Sequence, residues 1–231
     1  MRSDRMLAAA GAVYVLAMVA GNELRQGRND TSDGSAALAA LRHGRSTAES
    51  AGVVLGVLSV FALVIFLAHL YRVLRAAERP AGRAAIAALG AGLVMTAVDV
   101  ASAMPSVAAV LNRDGLTPSL LRTLQALNDA GFVISGYLFG VFVTLAAASA
   151  FGSRVLPRWL ASGGLTFGGL TVVAGLAGIV DPAGYVPVPY LLCLAWVLVT
   201  SVLLAVRGPQ ARADLADGAP KGVPTEFPAT A

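Results

Sequence analysis

Apolar residues in this chain come in long unbroken runs, not in the three-and-four spacing of a helix with one wet face. The clearest run, AGVVLGVLSVFALVIFLAHLY, goes from Ala51 to Tyr71 and carries no charge. A second runs from Gly131 to Phe151, breaks at Gly152-Ser153-Arg154 and Pro157-Arg158, and is followed at once by a third, the pattern of a membrane hairpin with a short arginine-bearing turn. An α-helix needs about 20 residues, at 1.5 Å each, to cross the hydrocarbon of a bilayer. On that measure the chain holds six spans, near residues 6–24, 51–71, 84–110, 130–151, 161–180 and 186–206.

The first run, LAAAGAVYVLAMVAG, is short, and Val19-Ala20-Gly21 resembles a signal-peptidase site. The competing reading is an uncleaved helix extended by Asn22 to Leu24. Retention gives an even number of spans and is the expectation adopted. In the polar loop that follows, SAALAALRHGR predicts a short interfacial helix with Leu38 and Leu41 towards lipid. Pro105 removes a backbone donor late in the third span and should kink its last turns. Thr117-Pro118 is a cap followed by a proline suited to the first helical position. Leu120, Leu121, Leu124 and Leu127 then predict a short amphipathic helix leading into the fourth span. Asp181-Pro182-Ala183-Gly184 reads as a turn. Residues 208–231, rich in Pro, Ala and Gly without an apolar face, read as a disordered cytoplasmic tail.

Composition agrees with the pattern. Of 231 residues 57% are hydrophobic and 13% charged, against roughly a quarter charged in soluble domains. The spans and their loops leave no room for a further soluble domain of about 100 residues. The net charge of +4 does not point to nucleic acid, because the basic residues sit between apolar runs, where they set orientation. With the N-terminus inside, Arg2, Arg5, Arg72, Arg75, Arg79, Arg83, Arg154, Arg158, Arg207, Arg212 and Lys221 are inner, 11 of the 17 Lys and Arg; Arg25, Arg28, Arg42, Arg45, Arg113 and Arg122 are outer. Both termini are therefore expected in the cytoplasm. The preference for Arg over Lys, with abundant Ala and Gly, suits a GC-rich bacterial genome.

A single cysteine, Cys193, excludes an internal disulfide or thiolate metal site, and the two histidines, His43 and His69, lie towards opposite sides. No Ser-His-Asp order, HExxH, Walker loop or Rossmann glycine pattern occurs. The expectation is no catalytic residue, no metal and no cofactor.

Asp99 is the one ionisable residue deep in an apolar span. A carboxylate at mid-bilayer costs about 2.5–3.5 kcal/mol even on the gentler insertion scales, so it should face the bundle, find a partner or stay protonated. Gly92, Thr96, Asp99, Ser102, Ala103 and Ser106 share a helical stripe expected to look inward. Asp99, Thr96, Ser102 and Ser106 form a candidate proton or cation site, with Tyr14, Ser135, Tyr137 or Thr144 as facing groups. A protonated structural Asp held by a neighbouring hydroxyl is the competing reading. Asn128 and Asp129 mark a polar outer mouth or a helix cap, with Glu23 near by. Gly136, Gly140, Thr144 and Ala148 repeat every four residues, as do Gly52/Gly56 and Gly164/Gly168, the spacing at which helices approach closely in lipid. Trp159 and Tyr190 read as interfacial anchors, as does His69 beside Arg72.

The YRVLR end of the second span, LNDAGFVISGYLFGVFVTLAAASAFGSRVLPRWLASGGLTFGGLTVVAG and a closing span together resemble bacterial membrane proteins of domain-of-unknown-function family 4386. Asp129, Gly131, Phe132, Gly152, Ser153, Leu156, Pro157, Arg158, Gly168 and Gly169 carry the resemblance. It implies six helices and no established activity.

The sequence is thus read as an all-α polytopic membrane bundle of six transmembrane helices, with short interfacial helices in the outer loops and a single domain over residues 1–207. Its expected place is the bacterial cell membrane. Its expected partners are the lipid bilayer and a second copy or another membrane protein. The expected role is a non-enzymatic membrane module, the alternative a small proton- or cation-coupled transporter built on Asp99.

Overall fold

A computed structural model describes residues 2–26, 34–43, 47–77, 83–112, 114–181 and 185–207. The expected tail over 208–231 and the core of the expected turn, residues 182–184, lie outside them. Seven helices follow one another: α1 (Arg2–Gln26), α2 (Gly34–Arg42), α3 (Thr47–Ala77), α4 (Ala84–Leu111), α5 (Pro118–Ser153), α6 (Arg158–Val180) and α7 (Val188–Arg207). All but α2 contain a stretch long and apolar enough to cross a membrane. The protein is a multi-pass, all-α membrane bundle.

Local chemistry explains the helix limits. Thr117 caps α5, its Oγ1 accepting from Leu120 N at 3.3 Å, with Pro118 at the first helical position, as the sequence predicts. At the other end of α5 Arg154 takes a left-handed conformation (φ 57°), which turns the chain towards α6. The leucine-rich segment is not a separate helix. It is the first part of α5, which at 36 residues is longer than a bilayer crossing requires. α4 stays helical through Pro105, whose missing N–H leaves the Ala101 carbonyl outside the ladder.

Around the bundle the order is α3, α1, α7, α6, α5, α4, with α4 returning to α3 and α5 reaching across to α3 and α7. Phe66, Leu67, Phe139, Phe142, Val143, Trp196 and Val197 fill the middle. In lipid such a core is held by close packing and hydrogen bonds more than by the hydrophobic effect. Two contacts fasten α7. Trp196 Nε1 donates to the Leu160 carbonyl of α6 at 2.8 Å. Ser201 Oγ inserts into α1, accepting from Ala12 N at 2.9 Å and donating to the Ala8 carbonyl.

Glycines set the helix spacing. On α5 and α6 a Cβ at Gly140 would lie 2.8 Å from the Gly168 carbonyl, and one at Gly168 2.9 Å from the Gly140 carbonyl. Further along the same seam Gly164 meets Ala147 and Trp196, and Gly175 meets Tyr137. Gly21 of α1 packs on Gly52 and Gly56 of α3, so the small-residue spacing read from the sequence is close helix contact here. α2 departs from expectation. Leu38 is buried against Ala109, Leu116 and Leu121, with Leu41 beside it, so the apolar face of α2 covers protein and not lipid. His69 is likewise buried against protein.

The six helices place the start of α1, the end of α3, the start of α4, the α5–α6 connection and the end of α7 together, at an arginine-rich end of the bundle. There Leu67, Leu70, Leu74, Ala85, Ala88 and Phe142 close against one another with no room for a water molecule. Towards the opposite end α4 changes its surroundings. Its buried positions run from Ala85 to Thr96 and then skip to Ala109. Over the intervening turns α4 leans on α5, and its other flank is open.

Candidate functional site

The open stretch of α4 meets α5 at helical intervals. Gly92 faces Phe142, Asp99 faces Ser135, Ser102 faces Gly131 and Ser106 faces Asn128. Steps of seven, three and four residues up α4 match seven, four and three down α5, as two antiparallel helices in close contact require. Gly131 makes the approach possible, since a Cβ there would fall on the Ser102 Cβ and 3.1 Å from the Ser102 Cα.

Asp99 sits near the middle of α4 and is exposed. Buried Ser135 donates to its Oδ1 at a long 3.4 Å. Two buried phenols lie in its electrostatic range, Tyr14 of α1 and Tyr190 of α7, which also interact with each other. Tyr190 Oη further donates to Met18 Sδ of α1 at 3.5 Å. Rings surround this point. Phe132 packs edge-on against Tyr190 and Tyr185, with centroids 5.5 and 6.1 Å away, and Phe139 tilts against Tyr190 at 5.2 Å. Gly136 leaves space for them, since a Cβ there would stand 3.1 Å from Tyr185 Oη. The Tyr185 hydroxyl is enclosed with no hydrogen-bond partner among the described residues. Burial pushes its pKa up from the ordinary phenol value, so it remains an O–H donor.

The stripe predicted on α4 is split. Gly92 and Thr96 are buried as expected, whereas Asp99, Ala103 and Ser106 are exposed, because α3 does not follow α4 beyond Thr96. Thr96 Oγ1 donates to its own Gly92 carbonyl at 2.8 Å and Ser102 Oγ to the Asp99 carbonyl at 2.8 Å. Ser106 Oγ donates to Asn128 Oδ1 at 3.2 Å. Asn128 and Asp129 lie well inside α5 and do not cap it, so the capping alternative fails. Asn128 ties α4 to α5, and Asp129 is exposed beside it.

Of the four facing groups named from the sequence, Tyr14 and Ser135 meet Asp99. Tyr137 packs on Gly175 and Thr144 on Gly168, both on the α6 side of α5. Tyr190 corrects its reading as an interfacial anchor, being buried at the site. Trp159 is 64% exposed at the arginine-rich end. Among the described residues no three His, Cys, Asp or Glu come together to hold a metal ion.

An all-α bundle of six spans with one mid-span carboxylate beside Ser135 and two buried phenols defines a multi-pass membrane protein with a candidate polar site. The chain belongs to the family described as domain of unknown function DUF4386, whose model matches residues 9–208, from within α1 to the end of α7. No curated protein and no solved structure matches the chain.

Proposed function

We propose that the protein is a non-enzymatic membrane module of the bacterial cytoplasmic membrane, with both chain ends in the cytoplasm and the Asp99 site towards the outer side. The observation that carries this reading is the exposed Asp99 carboxylate among neutral hydroxyls and aromatic rings. General acid–base chemistry needs a second titrating group within hydrogen-bond reach. Ser135 and two phenols are among the neighbours of Asp99, and the Thr96 and Ser102 hydroxyls donate within their own helix. The arginines grouped at the other end support the orientation. Lipid surrounds the bundle, a second copy or another membrane protein is the macromolecular partner in keeping with this architecture, and no nucleic-acid role is assigned.

A small proton- or cation-coupled transporter is the second reading, favoured by the depth of Asp99. It requires the closed junction of Leu67, Leu70, Ala88 and Phe142 to open. The two separate in sealed vesicles containing purified protein and a pH-reporting dye, under an imposed potential. The module gives proton, sodium and potassium fluxes equal to those of protein-free vesicles. A flux that disappears in Asp99→Asn would overturn the module and establish the transporter.

A further inference from the structure

We propose that the ends of α4 and α5 furthest from the arginines stand clear of the membrane as a helical hairpin, and that α2 is a strap closing over its apolar face, able to lift while the six spans stay folded.

Helix lengths set the height of the hairpin. α6 runs 23 residues from Arg158, at the arginine-rich end, to Val180. That is about 34 Å by helix rise, one crossing of a hydrocarbon core of about 30 Å. Near its far end a Cβ on Gly178 would lie 3.1 Å from Val133 Cγ1 of α5, so α5 leaves the hydrocarbon close to Val133. Leu121 comes twelve residues before Val133, about 18 Å further out. α4 agrees. Its Ser102 meets Gly131 of α5, and the helix continues nine residues to Leu111, about 14 Å beyond that contact. Exposed Asn112, Asp114, Arg122, Gln125 and Asp129 mark the same stretch as wet.

Standing in water, the hairpin has an apolar face to cover, formed by Ala109, Leu116, Leu121 and Leu124. α2 is its occupant. Leu38 is buried against these residues with Leu41 beside it, and Arg42 Nη2 donates to the Leu116 carbonyl at 3.4 Å.

The cover is built to detach. Its apolar cluster is separate from the core of the bundle, and α2 has nine residues, too few to stay helical without a surface to pack on. Segments held by few buried apolar contacts open at far lower cost than the whole fold. Seven residues join α2 to α1 and four join it to α3, each able to extend about 3.3–3.6 Å. The strap can therefore leave the hairpin without moving α1 or α3, which are fastened to each other where Gly21 packs on Gly52 and Gly56.

The test measures the rate at which a charged, membrane-impermeant thiol reagent labels single cysteines in the purified full chain in nanodiscs. Native Cys193 is buried and gives no background. Leu120→Cys, at a position 47% exposed on the hairpin, is expected to react freely, and Val173→Cys, 64% exposed at mid-α6, to stay unreactive in lipid. Ala109→Cys, a small change beneath the strap, is expected to react completely but on the order of a hundredfold more slowly than Leu120→Cys, the rate being set by opening of α2. Adding Leu38→Ala, which removes most of the side chain holding the strap, is expected to speed Ala109→Cys about tenfold or more. It should leave Leu120→Cys unchanged and the unfolding midpoint within a few degrees. Leu38→Met, which keeps an apolar side chain of similar size, should retain slow labelling. A Leu120→Cys as inert as Val173→Cys would place the hairpin in the bilayer and overturn the proposal. So would an Ala109→Cys that never reacts, one that reacts as fast as Leu120→Cys, or one indifferent to Leu38→Ala. A midpoint fall in Leu38→Ala as large as that of a packed span would make α2 part of the bundle fold and not a strap.

Discussion

Gly140→Leu leaves little folded protein. The Gly140 Cα lies where α5 and α6 touch backbone to backbone, and even a Cβ would stand 2.8 Å from both the Gly168 carbonyl and Val172 N. Nothing flexible is available to yield, so the helices must separate along a seam that also holds Thr144 on Gly168 and Ala147 on Gly164. Overpacking of an ordinary core costs about 1–3 kcal/mol, and a backbone collision falls in the exceptional range above about 4 kcal/mol. Against a total stability of about 5–15 kcal/mol, that depletes the folded population. In detergent the unfolding midpoint is expected to drop by about 8–16 °C, taking roughly 2–4 °C per kcal/mol for a chain of this size, with a matching fall in monodisperse yield. Wild-type yield and midpoint in Gly140→Leu would remove close α5–α6 packing from the account.

Gly131→Leu, nine residues earlier on the same helix, is expected to spare the fold and abolish the site. Its Cβ would strike Ser102 of α4, but here α4 has a free flank towards which to move. The inner half of α4 stays held by Leu67 and Phe142 against Gly92. The displaced segment carries Asp99 away from Ser135 and Ser106 away from Asn128. The expected result is an unfolding midpoint within a few degrees of wild type and a shift of the Asp99 carboxyl infrared band, which is assigned by its loss in Asp99→Asn, as the contact with Ser135 is broken. A large fall in midpoint with the Asp99 band unchanged would mean that α4 has no such freedom.

The contrast between these two glycines marks how far the sequence could be read. Run lengths located the six spans because hydrocarbon thickness dictates them, and the four-residue spacing of Gly136, Gly140 and Thr144 signalled close packing because small residues have that one dominant use in lipid. Asp99 was legible for the same reason, being costly wherever it lies in a span. The partners were not legible, since they depend on how each helix is rotated. Ser135 and Tyr137 are two residues apart, about 200° around the helix, so one faces Asp99 and the other faces α6, a difference no run of apolar residues records. Tyr190 opens the last span, where an anchor is the common reading, yet the turn of α7 against Met18 of α1 buries it. Leu38 misled similarly, because an amphipathic face fits lipid and the α4–α5 surface equally well. The exposed stretch of α4 begins where its burial stops after Thr96, which is a property of packing and has no signature in the helix alone.

The central claim is that Asp99 is reached from the side opposite the arginine-rich end. It is tested by placing a thiol there, Asp99→Cys, and treating intact cells with a charged, membrane-impermeant thiol reagent. Cys193 is fully buried and gives no background; Ala88→Cys, at the closed junction, is the negative control. The account predicts modification at position 99 from outside the cell and none at position 88. Protection of position 99 in intact cells, with modification only from the cytoplasmic side or only after denaturation, would contradict it.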